Sequence, residues 1–212
     1  MTASFTPKQV RSSRIKLVLL WAIPIGLMII AFPIMKLYQS GAYSYSTINK
    51  GILIQPHIQL NALTLTTDVT IEEETLWTDK WSIVVRGGAD CDSECLDTLL
   101  LTRQTHILLN KEANRVQRIY LSTDPELSAE LIEHLATENH YMKLAYVDEP
   151  ANENTNELIL AELDRALTSS NEQAQFFIVD PNGWAMMYYL NEHNGAAILK
   201  DLKRLLKYSK GR

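Results

Sequence analysis

The sequence predicts an α/β domain carried behind one N-terminal transmembrane helix. Three observations predict it. Residues 17–35 form an uncharged, almost wholly apolar run. After residue 50, short β-branched runs alternate with segments of helical period. The only two cysteines, Cys91 and Cys95, stand together at one strand-to-helix junction.

The apolar run, from Leu17 to Met35, lies between Lys16 and Lys36. At about 1.5 Å per residue it spans roughly 28 Å, one bilayer core. Pro24, Gly26 and Pro33 would weaken a helix in water, but membrane spans tolerate such residues. Arg11, Arg14 and Lys16 precede it, so the positive-inside rule assigns residues 1–16 to the cytoplasm. A cleaved signal peptide is the other reading, with Ser40-Gly41-Ala42 as the cleavage site. Its apolar core would be longer than the roughly 7–15 residues usual for such signals. Either way the cysteines face an oxidising compartment, where a disulfide persists. The expected organisation is a basic cytoplasmic segment (1–16), an anchor (17–35), a polar linker (36–50) and an exported domain (51–212). The address is the inner membrane, with the domain in the periplasm.

Charge supports that division. The chain of 212 residues has a net charge of -5, yet no acid occurs before residue 37. Five of the twenty Lys and Arg residues lie there, which leaves 15 basic against 25 acidic residues beyond it, a net -10. An acidic domain without a basic stripe excludes nucleic acid as a partner. With 46% hydrophobic residues, 8 Gly and 7 Pro, the chain is neither disordered nor fibrous. Two cysteines do not make a disulfide scaffold.

Along the domain, residues 60–67 and 69–76 read as extended segments of a hairpin-like lead-in. Trp81, Ile83, Val84 and Val85, closed by Gly87-Gly88, read as a strand. A helix follows to about Lys111, with Cys95, Leu96, Leu99, Leu100 and Arg103 at helical spacing and Asp90, Asp92 or Ser93 as its cap. Residues 115–121 alternate as a second strand, 125–139 read as a helix with Pro125 in its first turn, and 142–147 as a third strand. After a polar loop at 148–156, a helix is expected over 158–167. Gln175 to Asp180, the turn Pro181-Asn182-Gly183 and Trp184 to Tyr189 predict a hairpin. A closing helix over 196–208 carries Ile198, Leu199, Leu202, Leu205 and Leu206 on one face. A sheet with helices on both faces follows, with the cysteines at the top of its first central strand, which is the thioredoxin-like arrangement.

Two sulfurs at a helix start suit redox chemistry or a soft metal, because the helix dipole there favours a thiolate. Three readings stay open. Cys91 and Cys95 form a redox pair, with Cys91 attacking and Cys95 resolving. Or their thiolates hold Cu(I), which accepts two sulfur ligands. Or they form an inert disulfide, since Cα atoms four residues apart on a helix lie within bridging range. Asp90, Asp92 and Glu94 oppose a thiolate unless Arg86 or Arg103 folds close, and they would attract a cationic metal donor. His106 is too far along the helix to share a metal with Cys95. His134 and His140 fall on or after a polar face. His193, Met186 and Met187 are further soft ligands if they fold towards the cysteines, although core packing is the expectation for the methionines. Trp81 and Trp184 are expected in the core.

The Cys91-x-x-x-Cys95 helix, the 115–121 strand, the Phe176-Phe-Ile-Val-Asp-Pro-Asn-Gly hairpin and the final Leu-Lys-Asp-Leu-Lys-Arg-Leu-Leu-Lys helix together resemble the Sco-type proteins. These are membrane-anchored, thioredoxin-fold proteins implicated in assembling the copper centre of cytochrome c oxidase. The resemblance covers about residue 50 to the end. It implies thiol–disulfide exchange or Cu(I) handling at Cys91 and Cys95, and a cytochrome oxidase subunit or another assembly factor as partner. It also implies a third copper ligand, a histidine, before the hairpin; that position is Glu172 here. Neither cysteine is followed by the family's proline, and no proline precedes the hairpin in the place of the thioredoxin cis-proline. The alternative function is a non-enzymatic docking factor with a structural disulfide.

Overall fold

The computed structural model describes residues 7–39, 48–67, 76–77, 79–147, 153–169, 172–174 and 176–209. The chain divides into two compact units, Met1–Ile48 and Asn49–Arg212. The first contains helix α1, Pro7–Gln39. Its side chains are described at Lys16 and from Leu20 to Lys36, where nearly all are exposed. Among the described residues no helix is long and apolar enough to cross a membrane.

The second unit is built on a seven-stranded sheet in the order β1-β9-β8-β3-β4-β5-β2. Its strands are β1 (Ile52–Gln59), β2 (Leu65–Thr67), β3 (Trp81–Gly87), β4 (Val116–Ser122), β5 (Met142–Val147), β8 (Phe176–Val179) and β9 (Trp184–Tyr189). A separate two-residue pair, β6 (Thr168–Ser169) and β7 (Glu172–Gln173), forms a small ribbon. Strands β3, β4 and β5 are parallel; every other neighbour is antiparallel. Alternation along the central strands feeds two cores. Ile83, Val85, Tyr120, Phe176, Ile178 and Tyr189 face one side, beneath α2 (Ser93–Leu108), α3 (Ala129–Glu138) and α5 (Gly195–Tyr208). Val84, Ile119, Leu121, Phe177 and Val179 face the other, under α4 (Glu153–Leu167) and Trp77. Central strands buried on both faces explain the near-continuous apolar runs.

The hairpin forms as its sequence predicts. Asp180 Oδ1 accepts from Asn182 N at 2.9 Å and Trp184 N at 2.8 Å, and Gly183 takes the left-handed conformation at φ +82°. Several expectations are corrected. Of the lead-in, residues 65–67 form β2, which pairs with β5 at one edge of the sheet, while residues 69–75 of the second segment lie outside the described residues; β1, which precedes the lead-in, pairs with β9 at the other edge. Helix α3 starts at Ala129, because Ser128 accepts from Leu131 N and caps it; Pro125 lies before the helix. Helix α4 reaches back to Glu153, into the segment expected as a loop. Helix α2 ends at Leu108, and a 3-10 helix over Asn110–Arg115 links it to β4.

The buried face of α2 also differs from the leucine face expected. Cys95, Thr98, Leu99, Thr102 and Thr105 are buried, whereas Leu96, Leu100, Ile107 and Leu108 are exposed. Thr102 faces inward where β4 places Arg118 beneath the helix. Its guanidinium donates to Leu99 O, Thr102 Oγ1 and Asn139 Oδ1 at 2.9, 3.1 and 2.8 Å. A leucine at position 102 would leave a buried donor without that acceptor.

Candidate functional site: the Cys91–Cys95 disulfide

Cys91 and Cys95 are joined by a disulfide, with their Cα atoms 5.3 Å apart. Of the three capping candidates Asp92 does the work: its Oδ1 accepts from Cys95 N at 2.9 Å. The cap holds the helix start and places a negative charge beside the second cysteine. Cys95 is 8% exposed and packs into the core with Leu99, whereas Cys91 is half-buried at its edge. Cys91 is thus the less buried of the two residues.

The loop between β3 and α2 is fastened from below. Ala89 N donates to Asp124 Oδ2 at 2.6 Å, Thr123 N to Gly87 O at 3.0 Å, and Ser128 N to Ala89 O at 2.9 Å. The Tyr120 hydroxyl donates to Gly88 O at 2.9 Å. Burial pushes the Tyr120 phenol up to about 12, with Asp124, Asp90 and Asp92 adding to the effect. A phenol whose folded pKa lies above its unfolded value of 10 stabilises the fold below pH 10. That contribution is lost as pH rises towards 12. Tyr120→Phe is expected to flatten the loss of stability over this window, measured by denaturant unfolding at pH 9 to 12. A fall as steep as that of the parent protein would contradict it.

Around the disulfide runs a cleft lined by Asp90, Asp92, Glu94, Cys95 and Glu172, with Arg86 on its wall. The position assigned to Glu172 by the family resemblance thus does lie at the cysteine site. Glu94 is held by the Asn191 amide. The two arginines considered as partners of a thiolate are both engaged. Arg86 forms an ion pair with Asp164, and burial lowers its pKa. Arg103 pairs with Glu138 at 2.6 Å on the surface.

The remaining sequence candidates do not join the cysteines. His106 Nε2 lies 3.1 and 3.0 Å from Ala113 O and Val116 O. His193 Nδ1 meets Leu190 N at 3.1 Å, and its Nε2 meets Lys50 O at 2.9 Å, so both ring nitrogens are engaged. Met187 is buried, its sulfur accepting from the Tyr189 hydroxyl at 3.2 Å, and Met186 packs against the same core. His134 is half-buried and His140 exposed, its ring tilted against that of Tyr141. Trp81 is core, its indole donating to Ser209 Oγ. Trp184 is not core; at the hairpin turn it is 38% exposed. Among the described residues no group of three or more His, Cys, Asp or Glu is placed to hold a metal ion. A carboxylate at Glu172 is a hard oxygen donor, poorly matched to Cu(I).

A parallel β3-β4-β5 core, an antiparallel hairpin beside it and a disulfide at the start of the helix after β3 define a thioredoxin-like domain. The chain belongs to the family described as transmembrane-like, thioredoxin-like, C-terminal domain, whose model matches residues 81–209. No curated protein matches the sequence. Among solved structures, BsSco, a member of the Sco family of cytochrome c oxidase assembly proteins in which a disulfide switch is identified, is similar with a TM-score of 0.52. It has 15% identity over 76% of this chain and 98% of that one. Yeast Sco1 gives a TM-score of 0.48 and 14% identity over 64% and 85%. The thioredoxin domain of a thiol-disulfide oxidoreductase from Bacteroides vulgatus gives 0.44 and 12% over 69% and 96%. The likeness to BsSco is in keeping with the Sco-type resemblance, and at this identity it is one of fold alone.

Proposed function

We propose that this chain is a membrane-anchored thiol–disulfide exchange protein that assists cytochrome c oxidase assembly. Residues 17–35 anchor it in the inner membrane, and the domain works in the periplasm. The observation that carries the exchange reading is the disulfide at the helix start, beside an acidic cleft lined by Cys95, with Cys91 the less buried of the two residues. A partner's thiolate attacks Cys91 Sγ, the Cys91–Cys95 bond breaks, and Cys95 leaves with the electron pair. A second partner thiol then resolves the mixed disulfide, so the partner is oxidised and this pair reduced. The reverse sequence, with Cys91 attacking, reduces a partner. The apolar run with its basic N-terminal flank supports the anchor, and the Sco-type resemblance supports an oxidase subunit or another assembly factor as partner.

The reduced pair also offers two soft thiolates. Cys91 and Cys95 are the residues that would hold Cu(I), and no described histidine supplies a third donor. Equilibration of the full-length chain in glutathione buffers tests the main reading. A reduction potential between about -120 and -270 mV is expected for an exchanging pair. A value below about -300 mV would instead make the disulfide a structural staple. Cu(I) titration of the same reduced sample, beside the Cys91→Ser, Cys95→Ser double variant, reads the copper capacity directly.

A further inference from the structure

A buried sulfur is a poor leaving group. Removing Cys95 from water disfavours its thiolate, and Asp90, Asp92 and Glu94 at the helix start disfavour it further. Arg86 and Arg103 give little relief, since Asp164 and Glu138 neutralise them. One further cation lies beneath the same helix. Arg118 is 4% exposed, and its Nε has no hydrogen-bond partner. Its guanidinium donates to a carbonyl, a hydroxyl and an amide oxygen, and no carboxylate among the described residues reaches it. A buried charge without a counter-charge is costly, and neutral donors would serve these three acceptors equally well. Burial, with Arg103 nearby, lowers the Arg118 pKa to about 10, so it stays charged at neutral pH.

We propose that Arg118 is the positioning residue of the exchange reaction: its unpaired guanidinium, hydrogen-bonded to Leu99 one turn after Cys95, stabilises the Cys95 thiolate released when the disulfide opens. The inference rests on the exchange reading above. The step balances. The incoming thiolate bonds to Cys91 Sγ, the electron pair of the broken bond stays on Cys95 Sγ, and no proton need be supplied, because Arg118 answers the new charge electrostatically. Leu99 O lies about 6–8 Å along the helix from Cys95, which places the guanidinium about 10 Å from the sulfur. At that distance, with an effective dielectric constant near 20, the attraction is worth on the order of tenfold in the thiolate equilibrium.

The test uses three variants of the full-length chain, two that neutralise the charge and one that keeps it. Asn139→Asp places a carboxylate against Arg118 without removing it; Arg118→Gln keeps a donor and removes the charge; Arg118→Lys keeps the charge. The Cys95 thiol pKa is read in a Cys91→Ser background, and the glutathione equilibrium with both cysteines present. Asn139→Asp and Arg118→Gln are expected to raise the Cys95 pKa by about one unit and, at a pH above the raised pKa, to shift the equilibrium about tenfold towards the disulfide. Arg118→Lys is expected to leave both within about twofold of the parent protein. An unchanged Cys95 pKa in folded Asn139→Asp overturns the proposal, as does an Arg118→Lys shift as large as that of Arg118→Gln. If the parent disulfide does not exchange with glutathione at all, the functional reading fails, while the Cys95 pKa series still decides the role of Arg118.

Discussion

Cys91→Ser is expected to abolish disulfide exchange outright, and Cys95→Ser to fail in a different way. On the exchange reading Cys91 attacks, as the less buried of the two cysteines, whereas Cys95 is 8% exposed and packs with Leu99. Without Cys91 no mixed disulfide forms at an accessible position, and activity towards a dithiol substrate falls to background. Without Cys95 the Cys91 thiolate still attacks a partner disulfide, but nothing within the chain resolves the product, so a mixed disulfide with the partner accumulates. Non-reducing electrophoresis and mass spectrometry distinguish the two. Equal trapping by both variants would show that the sulfurs are equally accessible and would remove the assignment of Cys91 as the attacking thiol. The accumulating adduct would also identify the partner, the part of the proposal that rests on family resemblance.

Gly87→Ala is expected to destabilise the domain by about 3 kcal/mol, near the upper end for overpacking. A Cβ at position 87 would sit 2.0 Å from the Tyr120 hydroxyl and 2.6 Å from the ring carbon that bears it. Tyr120 is fully buried and cannot swing away, and its hydroxyl is committed to Gly88 O. The loop carrying Cys91 would lift with the displaced ring, so exchange kinetics should change together with stability. Urea unfolding of Gly87→Ala, Tyr120→Leu and the double variant checks the cause. If the clash is responsible, the double variant loses much less than the sum of the two single ones. Simple additivity would place the effect of Gly87→Ala elsewhere.

The central strands and the hairpin were legible because their signals are local. Ile83, Val84 and Val85 form an uninterrupted β-branched run, and Asp180-Pro181-Asn182-Gly183 is turn chemistry in four residues. The edge strands were not legible in this way. The hydrogen-bond partners of β1 and β2 lie far along the chain, and no periodicity within residues 52–67 names them. The face of α2 was misread for a physical reason: leucines normally mark the buried side, but a buried arginine from β4 needs threonine and carbonyl acceptors there. Arg118 was missed as a candidate because the residues around it read only as a strand. The one available clue was a charged residue at an inward position of the Val116–Tyr120 alternation. Glu172 was placed at the cleft by family resemblance alone; in sequence it is an unremarked acid.

The sheet order has a spatial consequence for how the domain can be used. Strand β1 starts beside Tyr188, at the end of the sheet where β3 runs out into Gly87 and the disulfide loop. The chain therefore enters the domain at its working end, three strand spacings, or about 14 Å, from the strand that leads to Cys91. That entry is pinned: Asp201 Oδ2 accepts from Lys50 N and Gly51 N at 2.7 and 2.9 Å, and His193 holds Lys50 O. Whatever tethers residue 49 thus also confines the disulfide, which sweeps a narrow zone around the tether instead of hanging at the far pole of the domain. On the exchange reading, a partner cysteine has to be presented within that zone, so that reach, as much as chemistry, would select the partner.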